Sequence, residues 1–210
     1  MWGYDHSNTG QMLPEKIILA DLSIDLIHAW AEAFPAHDRL ELHKGDFFAR
    51  SADAMVSPAN SFGVMDRGLD AAIRTILGNG AERRVQKTIV DRHHGELPVG
   101  AAIVIATEHE RWPYLVVAPT KRVPERVADT LNAYLAFRAA LLAVRDHNIA
   151  QPVSPIRTLL VPGLATGVGG MTPTRCAEQM RIAYDEVTRP ARIPSVSAIR
   201  ETHAKLRSAV

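Results

Sequence analysis

A glycine-rich stretch, "VPGLATGVGGMTP", leads directly into the expected start of a helix. Thr172 is a favourable N-cap and Pro173 a favourable first helical residue, so the glycines end at a helix N-terminus. Backbone N–H groups with no side chains in front of them, together with the helix dipole, form a seat for a phosphate or diphosphate. A glycine-rich turn that only reverses the chain fits the same residues.

A second polar loop joins an apolar strand to a helix in "DAMVSPANSFGVMDRGLDAAI", residues 53–73. Asn60 follows the strand, and Asp70 lies near the start of the helix. Because ligands of α/β proteins bind where loops leave the carboxyl ends of strands, both loops are candidate binding segments. Two structural roles compete with binding: Asn60 could bond backbone groups at the strand end, and Asp70 could complement the helix dipole.

Alternating strands and helices must position these loops. The apolar patterns predict strands near residues 16–22, 39–46, 53–59, 100–108, 114–120 and 157–164, and helices near 23–34, 68–90, 125–147 and 172–187. Gly78 and Gly80 are expected to break the second helix. The alternation predicts an α/β fold, a three-layer α/β/α sandwich on a mixed, mostly parallel sheet.

Composition excludes several functional classes. The 210 residues include 24 Lys and Arg against 23 Asp and Glu, so no overall field attracts a nucleic-acid polymer or an anionic membrane. The single cysteine, Cys176, suits a buried core position better than a reactive one, and together with the polar N-terminus it predicts a cytoplasmic protein. Neither a cofactor nor a metal is expected, since adjacent His93 and His94 point apart on a helix.

The segment "GDFFARSADAMVSPANSFGVMDRGLDAAI" resembles the start of a macro domain, a family that binds ADP-ribose and includes hydrolases of ADP-ribosyl esters. "GLATGVGGMTP" is similar to the family's second ligand loop, and "YLVVAPT" to its central strand. The likeness covers residues 40–187. It implies one macro-like domain over residues 1–210, with a strand-helix extension at about 1–36 and a C-terminal tail at about 189–210.

The resemblance also implies a role for each site residue. Asp46 would accept a hydrogen bond from the adenine amino group, the backbone of Phe47 would meet the ring edge, and Asn60 would hold the distal ribose. In a hydrolytic member Asn60 and Asp70 would both be catalytic, since they would orient a water for attack and Asp70 would help to activate it. The remaining ligand-binding residues implied are Arg67 and Gly68 in the first loop and Thr166, Gly167, Val168 and Gly169, which would present N–H groups to the phosphates.

The sequence departs from the family at three places. Met65-Asp66-Arg67-Gly68 replaces a run of glycines, Gly169 replaces an aromatic residue that covers the distal ribose, and no apolar strand follows Arg189. Arg67 could pair with a phosphate, whereas Asp66 would repel one.

Three functions remain open from the sequence. The first is an ADP-ribosyl ester hydrolase, which acts on ADP-ribosylated protein or O-acyl-ADP-ribose. The altered glycine run favours the second, a reader that binds ADP-ribose or ADP-ribosylated protein without turnover. The third is a generic nucleotide-binding phosphoesterase, which would need a metal site.

Overall fold

A computed structural model describes residues 12–35 and 38–208. The predicted N-terminal extension therefore falls partly outside the described residues, at 1–11 and 36. The strands are β1 (Lys16–Asp21), β2 (Leu40–Lys44), β3 (Ala54–Ser57), β4 (Ile103–Ala106), β5 (Tyr114–Val117) and β6 (Thr158–Val161). The α-helices are α1 (Ile24–Ala33), α2 (Gly68–Leu77), α3 (Asn79–His93), α4 (Asn132–Ala150), α5 (Pro173–Thr188) and α6 (Val196–Ser208), and a short 3-10 helix spans Phe47–Ala49.

The strands form one sheet in the order β2-β1-β6-β3-β5-β4. Neighbouring strands are parallel except for β4, which runs antiparallel to β5 and closes one edge. The prediction of a mixed, mostly parallel sheet is confirmed. Strand β1 lies inside the sheet, with Ile17 paired to Leu40 of β2 on one side and to Leu159 of β6 on the other. The strand expected as part of an N-terminal extension is therefore integral to the sheet.

Helices cover both faces of the sheet because successive residues of a strand point to opposite sides. Leu19 packs into the cluster that contains Trp30 of α1 and residues of α4 and α5. Its neighbour Ile18 packs into the opposite cluster with Ile73 of α2 and Ile89 of α3. These two apolar clusters hold the three layers together. Within the described part of the chain, none of the helices combines the length and apolar character needed to cross a membrane.

The start of α4 differs from the prediction. The apolar pattern indicated a helix from about residue 125, but α4 begins at Asn132. The Thr130 hydroxyl donates to the Val127 carbonyl at 2.7 Å and accepts from the backbone N–H of Asn132 at 3.2 Å. The backbone N–H of Val127 donates a hydrogen bond to the Gly169 carbonyl. These side-chain and long-range bonds replace the helical ladder, so residues 125–131 are not helical and the chain turns at residues 128–129.

The break between α2 and α3 confirms the expectation for Gly78. This glycine has a φ of 79° and separates the two helices, a conformation that residues with a Cβ avoid. The same expectation for Gly80 was wrong, because Gly80 lies in the first turn of α3 and does not break that helix.

Candidate functional site

A cavity of about 430 Å³ opens at the carboxyl ends of the parallel strands. Its walls come from the loops after β1, β2, β3, β5 and β6, which converge because parallel strands end at the same edge of a sheet. Every binding or catalytic residue implied by the resemblance lines this cavity: Asp46, Phe47, Asn60, Arg67, Gly68, Asp70, Thr166, Gly167, Val168 and Gly169. Its volume is in the usual range for a small-molecule site.

Asp46 lines the cavity and also caps the start of the 3-10 helix that follows it. Its Oδ1 accepts a hydrogen bond from the backbone N–H of Phe48 at 3.0 Å. Asp46 therefore has a structural role as the cap of this short helix. A carboxylate has more acceptor sites than this one bond uses, so capping leaves capacity for a ligand donor.

Asn60 uses its amide to fold its own loop. The Nδ2 group donates to the Val64 carbonyl at 2.7 Å, and Oδ1 accepts from the backbone N–H groups of Phe62 at 3.0 Å and Val64 at 3.3 Å. Asn60 is buried. In this conformation its amide shapes the rim of the cavity through the backbone of residues 62–64.

Asp70 is a buried carboxylate in the first turn of α2. Burial raises its pKa, while a 2.6 Å hydrogen bond from the Ser57 hydroxyl and the charge of Lys121 act in the opposite direction. Asp66 raises the pKa further by like-charge repulsion. A carboxylate in such surroundings has a proton affinity closer to that required of a general base at neutral pH.

Lys121 was not predicted as a site residue from the sequence. Its positive charge lowers the pKa of Asp70. It follows β5, lines the same cavity, and donates to the Pro58 carbonyl and the Thr120 hydroxyl, both at 3.4 Å. Burial lowers the pKa of its ammonium group, and Asp70 opposes that shift. In the sequence, Lys121 is distinguished only by its place after an apolar strand. The loop after that strand lies at the same edge of the sheet as the two predicted ligand loops.

Residues 163–170, here called the glycine loop, reach the helix start that the sequence predicted. Thr172 caps α5 by accepting the backbone N–H of Arg175 at 3.3 Å, and Pro173 follows at the first helical position. A side-chain carbon on Gly169 would collide with the Ala165 carbonyl, whereas one on Gly167 would meet open space. Close packing of the loop therefore requires glycine at residue 169 but not at residue 167.

Arg67 and Asp66 lie at the exposed side of the cavity. Their charged groups are 3.8 Å apart, and their side chains are 74% and 53% exposed. Gly68 follows with a φ of 56° and begins α2. The ion pair lets the two residues partly neutralise each other beside the cavity.

Several cavity residues had no identifying pattern in the sequence. Asp21, at the end of β1, accepts the backbone N–H groups of Ser23 at 2.8 Å and Gly163 at 3.3 Å, and so links β1 to the glycine loop. Leu22 lies beside it and is 74% exposed. Asp21 ends β1 and Leu22 follows it, and the place of this strand in the sheet could not be predicted from the sequence.

Two other chemistries have little support. Burial raises the pKa of the Cys176 thiol to about 12, which disfavours the nucleophilic thiolate and agrees with its predicted core position. Among the described residues, no three His, Cys, Asp or Glu side chains come together in a way that could hold a metal ion.

Known proteins share this architecture. The family model described as "Macro domain" matches residues 56–180, more than half of the chain. The chain belongs to the macro domain family. An uncharacterized protein of Aquifex aeolicus is 29% identical to it over 143 residues, which span 67% of this chain and 78% of that protein.

Solved macrodomains have the same fold. The Oceanobacillus iheyensis macrodomain, solved as a mutant with ADPR, matches with a TM-score of 0.54 at 14% identity, over 85% of this chain and 82% of that one. Thermosipho africanus DarTG, solved in complex with ADP-ribose, matches with a TM-score of 0.54 at 19% identity, over 73% of this chain and 43% of that one. These likenesses confirm the α/β fold of a divergent macro domain.

Within this macro domain, β1 occupies an interior position of the sheet, between β2 and β6. After α5, the described chain continues into helix α6, and the strand between β2 and β6 comes from residues 16–21 instead. The macro domain therefore takes one wall of its cavity, at Asp21 and Leu22, from the beginning of the chain.

Proposed function

We propose that this macro domain binds ADP-ribose in the 430 Å³ cavity and hydrolyses ADP-ribosyl esters there. The observation that carries the proposal is that the buried Asp70 and the half-buried Lys121 both line the cavity, where the charge of each shifts the pKa of the other. The ADP-ribose bound to two macrodomains of the same fold supports the choice of ligand.

The ligand lies along the cavity with its adenine at Asp46 and its diphosphate on the glycine loop. A carboxylate recognises the adenine amino group as a donor. Backbone N–H groups from residues 166–169, just before the start of α5, attract the diphosphate. The distal ribose then lies toward Asn60, Asp70 and Lys121, where the ester bond of an ADP-ribosylated side chain would enter the site.

Asp70 and Lys121 divide the chemistry of ester hydrolysis between them. A water oxygen bonds to the ester carbonyl carbon while Asp70 accepts a proton from that water. The ammonium group of Lys121 stabilises the negative charge that develops on the carbonyl oxygen of the ester. The ester C–O bond then breaks, the ribose oxygen takes up the proton held by Asp70 and leaves as a hydroxyl, and the acyl group leaves as a carboxylic acid.

Asn60 takes an indirect part in this scheme. Because its amide bonds to Phe62 and Val64, it maintains the loop that borders the distal ribose. Orientation of the water falls to Asp70, whose carboxylate is held in turn by Ser57.

A reader without turnover is the second candidate. The observation that favours it is the exposed pair of Asp66 and Arg67, which stands where many hydrolytic macro domains have glycines. Side chains at those positions can fill space that a reacting ester needs.

Two measurements test the proposal. Calorimetry with ADP-ribose, AMP and NAD should give micromolar affinity for ADP-ribose, which corresponds to roughly 8 kcal/mol. A protein carrying ADP-ribose on a glutamate ester should then release it when the wild-type chain is added. Absence of ADP-ribose binding contradicts both functions, whereas binding without release leaves the reader.

A further inference from the structure

The position of the glycine loop depends on a turn that precedes α4. The backbone N–H of Val127 donates to the Gly169 carbonyl at 2.8 Å. The side chain of Val127 packs so closely that a Cβ on Gly169 would lie 2.8 Å from its Cγ2 atom. Residues 127–130, here called the bridging turn, therefore support the glycine loop from the side of α4.

Two side chains of α5 hold the bridging turn in place. Gln179, which is completely buried, donates from Nε2 to the Thr130 carbonyl at 2.8 Å. Arg175 donates from Nη1 to the Ala128 carbonyl at 3.1 Å. A buried amide with satisfied bonds fixes the backbone it contacts, because loss of a partner would leave a polar group without water.

The same two side chains bind the end of the C-terminal helix. Nε2 of Gln179 also donates to the Leu206 carbonyl at 3.2 Å, and Nη2 of Arg175 donates to the Arg207 carbonyl. The last carbonyls of a helix have no partner within it, so these bonds cap α6. Leu206 is the one side chain of α6 described as buried, so the helix is held mainly at this end.

We propose that Gln179 and Arg175 are positioning residues through which the docked helix α6 keeps the glycine loop in its ligand-binding shape. The connection runs from α6 through these two side chains to the bridging turn and then to Gly169. It rests on the proposed binding of ADP-ribose, because the glycine loop is the seat of the diphosphate. Undocking of α6 loosens the loop and weakens the diphosphate contact, while the adenine end is unaffected.

Leu206→Lys in the full chain tests this coupling, with Ile199→Lys as the control on an exposed face of α6. We expect Leu206→Lys to weaken ADP-ribose binding about tenfold and to change adenosine binding less than about twofold, as measured by calorimetry. Backbone amides of residues 163–171 should exchange hydrogen faster in this variant only. A purely structural role would lower both affinities together through loss of folded protein.

Arg175→Met provides a second test that leaves Leu206 in place. It removes the N–H donors to Ala128 and Arg207 and keeps an apolar stem, and Arg181→Met on the same helix is its control. The proposal is overturned if α6 exchanges freely in either variant while ADP-ribose affinity and exchange in the glycine loop stay at wild-type values. If the wild-type chain binds no ADP-ribose, the proposed function fails, and the exchange data alone still decide whether α6 controls the loop.

Discussion

The Ser57 hydroxyl donates a 2.6 Å hydrogen bond to Oδ1 of Asp70, and so joins the last residue of β3 to the first turn of α2. Both residues are buried. Hydrogen bonding favours the charged carboxylate, but desolvation disfavours it more, and the pKa of Asp70 is raised as a result. The folded protein thus keeps a carboxylate in a position where its charge is unfavourable.

Asp70→Asn should change how stability depends on pH. The pKa of Asp70 is raised above its ordinary value of 3.8, so between 3.8 and the folded-state pKa the folded protein binds more protons than the unfolded chain. The free energy of unfolding of the wild type should therefore fall, relative to that of Asp70→Asn, as pH rises through this window. Urea unfolding of both proteins between about pH 3 and about pH 8 measures the difference, and a constant difference would contradict the buried-carboxylate account.

Lys121→Met should separate catalysis from binding. Loss of the ammonium group removes charge stabilisation in the transition state, so release of ester-linked ADP-ribose should fall by about 100-fold or more. Affinity for ADP-ribose should change by less than about threefold. Lys87→Met, at an exposed ion pair on α3, is the matched control. Unchanged turnover in Lys121→Met would show that the lysine has no part in the reaction.

Asp46→Asn should test adenine recognition without loss of the cap. Asparagine keeps an oxygen that can accept the Phe48 N–H, but it lacks the charged acceptor for the adenine amino group. We expect calorimetry to show ADP-ribose affinity about tenfold lower, with thermal stability preserved.

Asp46→Ala completes this comparison because it removes both the cap and the acceptor. It should weaken ADP-ribose binding and also destabilise the protein by about 1 kcal/mol. Full affinity in the asparagine variant would mean that adenine is not read by this carboxylate.

Gly169→Ala and Gly167→Ala should behave differently although both residues line the cavity. A methyl group on Gly169 collides with the Ala165 carbonyl and crowds Val127, so we expect a loss of about 1–3 kcal/mol in the free energy of unfolding. Gly167→Ala should melt like the wild type because its Cβ meets open space. Denaturant unfolding compares the two, and equal stability would show that the loop adapts to the added carbon.

The sequence predicted well where local pattern and ligand chemistry agree. Alternating apolar runs were sufficient for the layers of the fold, and Thr172 with Pro173 marked the start of α5. Lys121 and Ser57 were missed because their importance arises only when β3, β5 and α2 meet. Burial, which gives Lys121 and Asp70 their unusual proton affinities, depends on that assembly and has no local signature.

The helix expected from residue 125 was wrong although its local pattern was present, because α4 begins only at Asn132. Periodicity continued through residues 125–131, but the Thr130 hydroxyl and the bond from Val127 to Gly169 compete with helical hydrogen bonds. Asn60 is a similar case, since the sequence allowed both a ligand contact and a loop contact, and its amide bonds to the loop in the structure. Such competition between local and long-range bonds cannot be decided from spacing.

The interior position of β1 has a consequence for the order in which the protein is completed during translation. Lys16 pairs with Thr158, so β1 is synthesised long before β6, the second of its two neighbours in the sheet. Pairings between residues so distant in sequence form slowly and leave strand edges unpaired in the meantime. A nascent chain that stops before Thr158 can pair β1 with β2 alone, and the contact between Asp21 and Gly163 forms only after β6 has been synthesised.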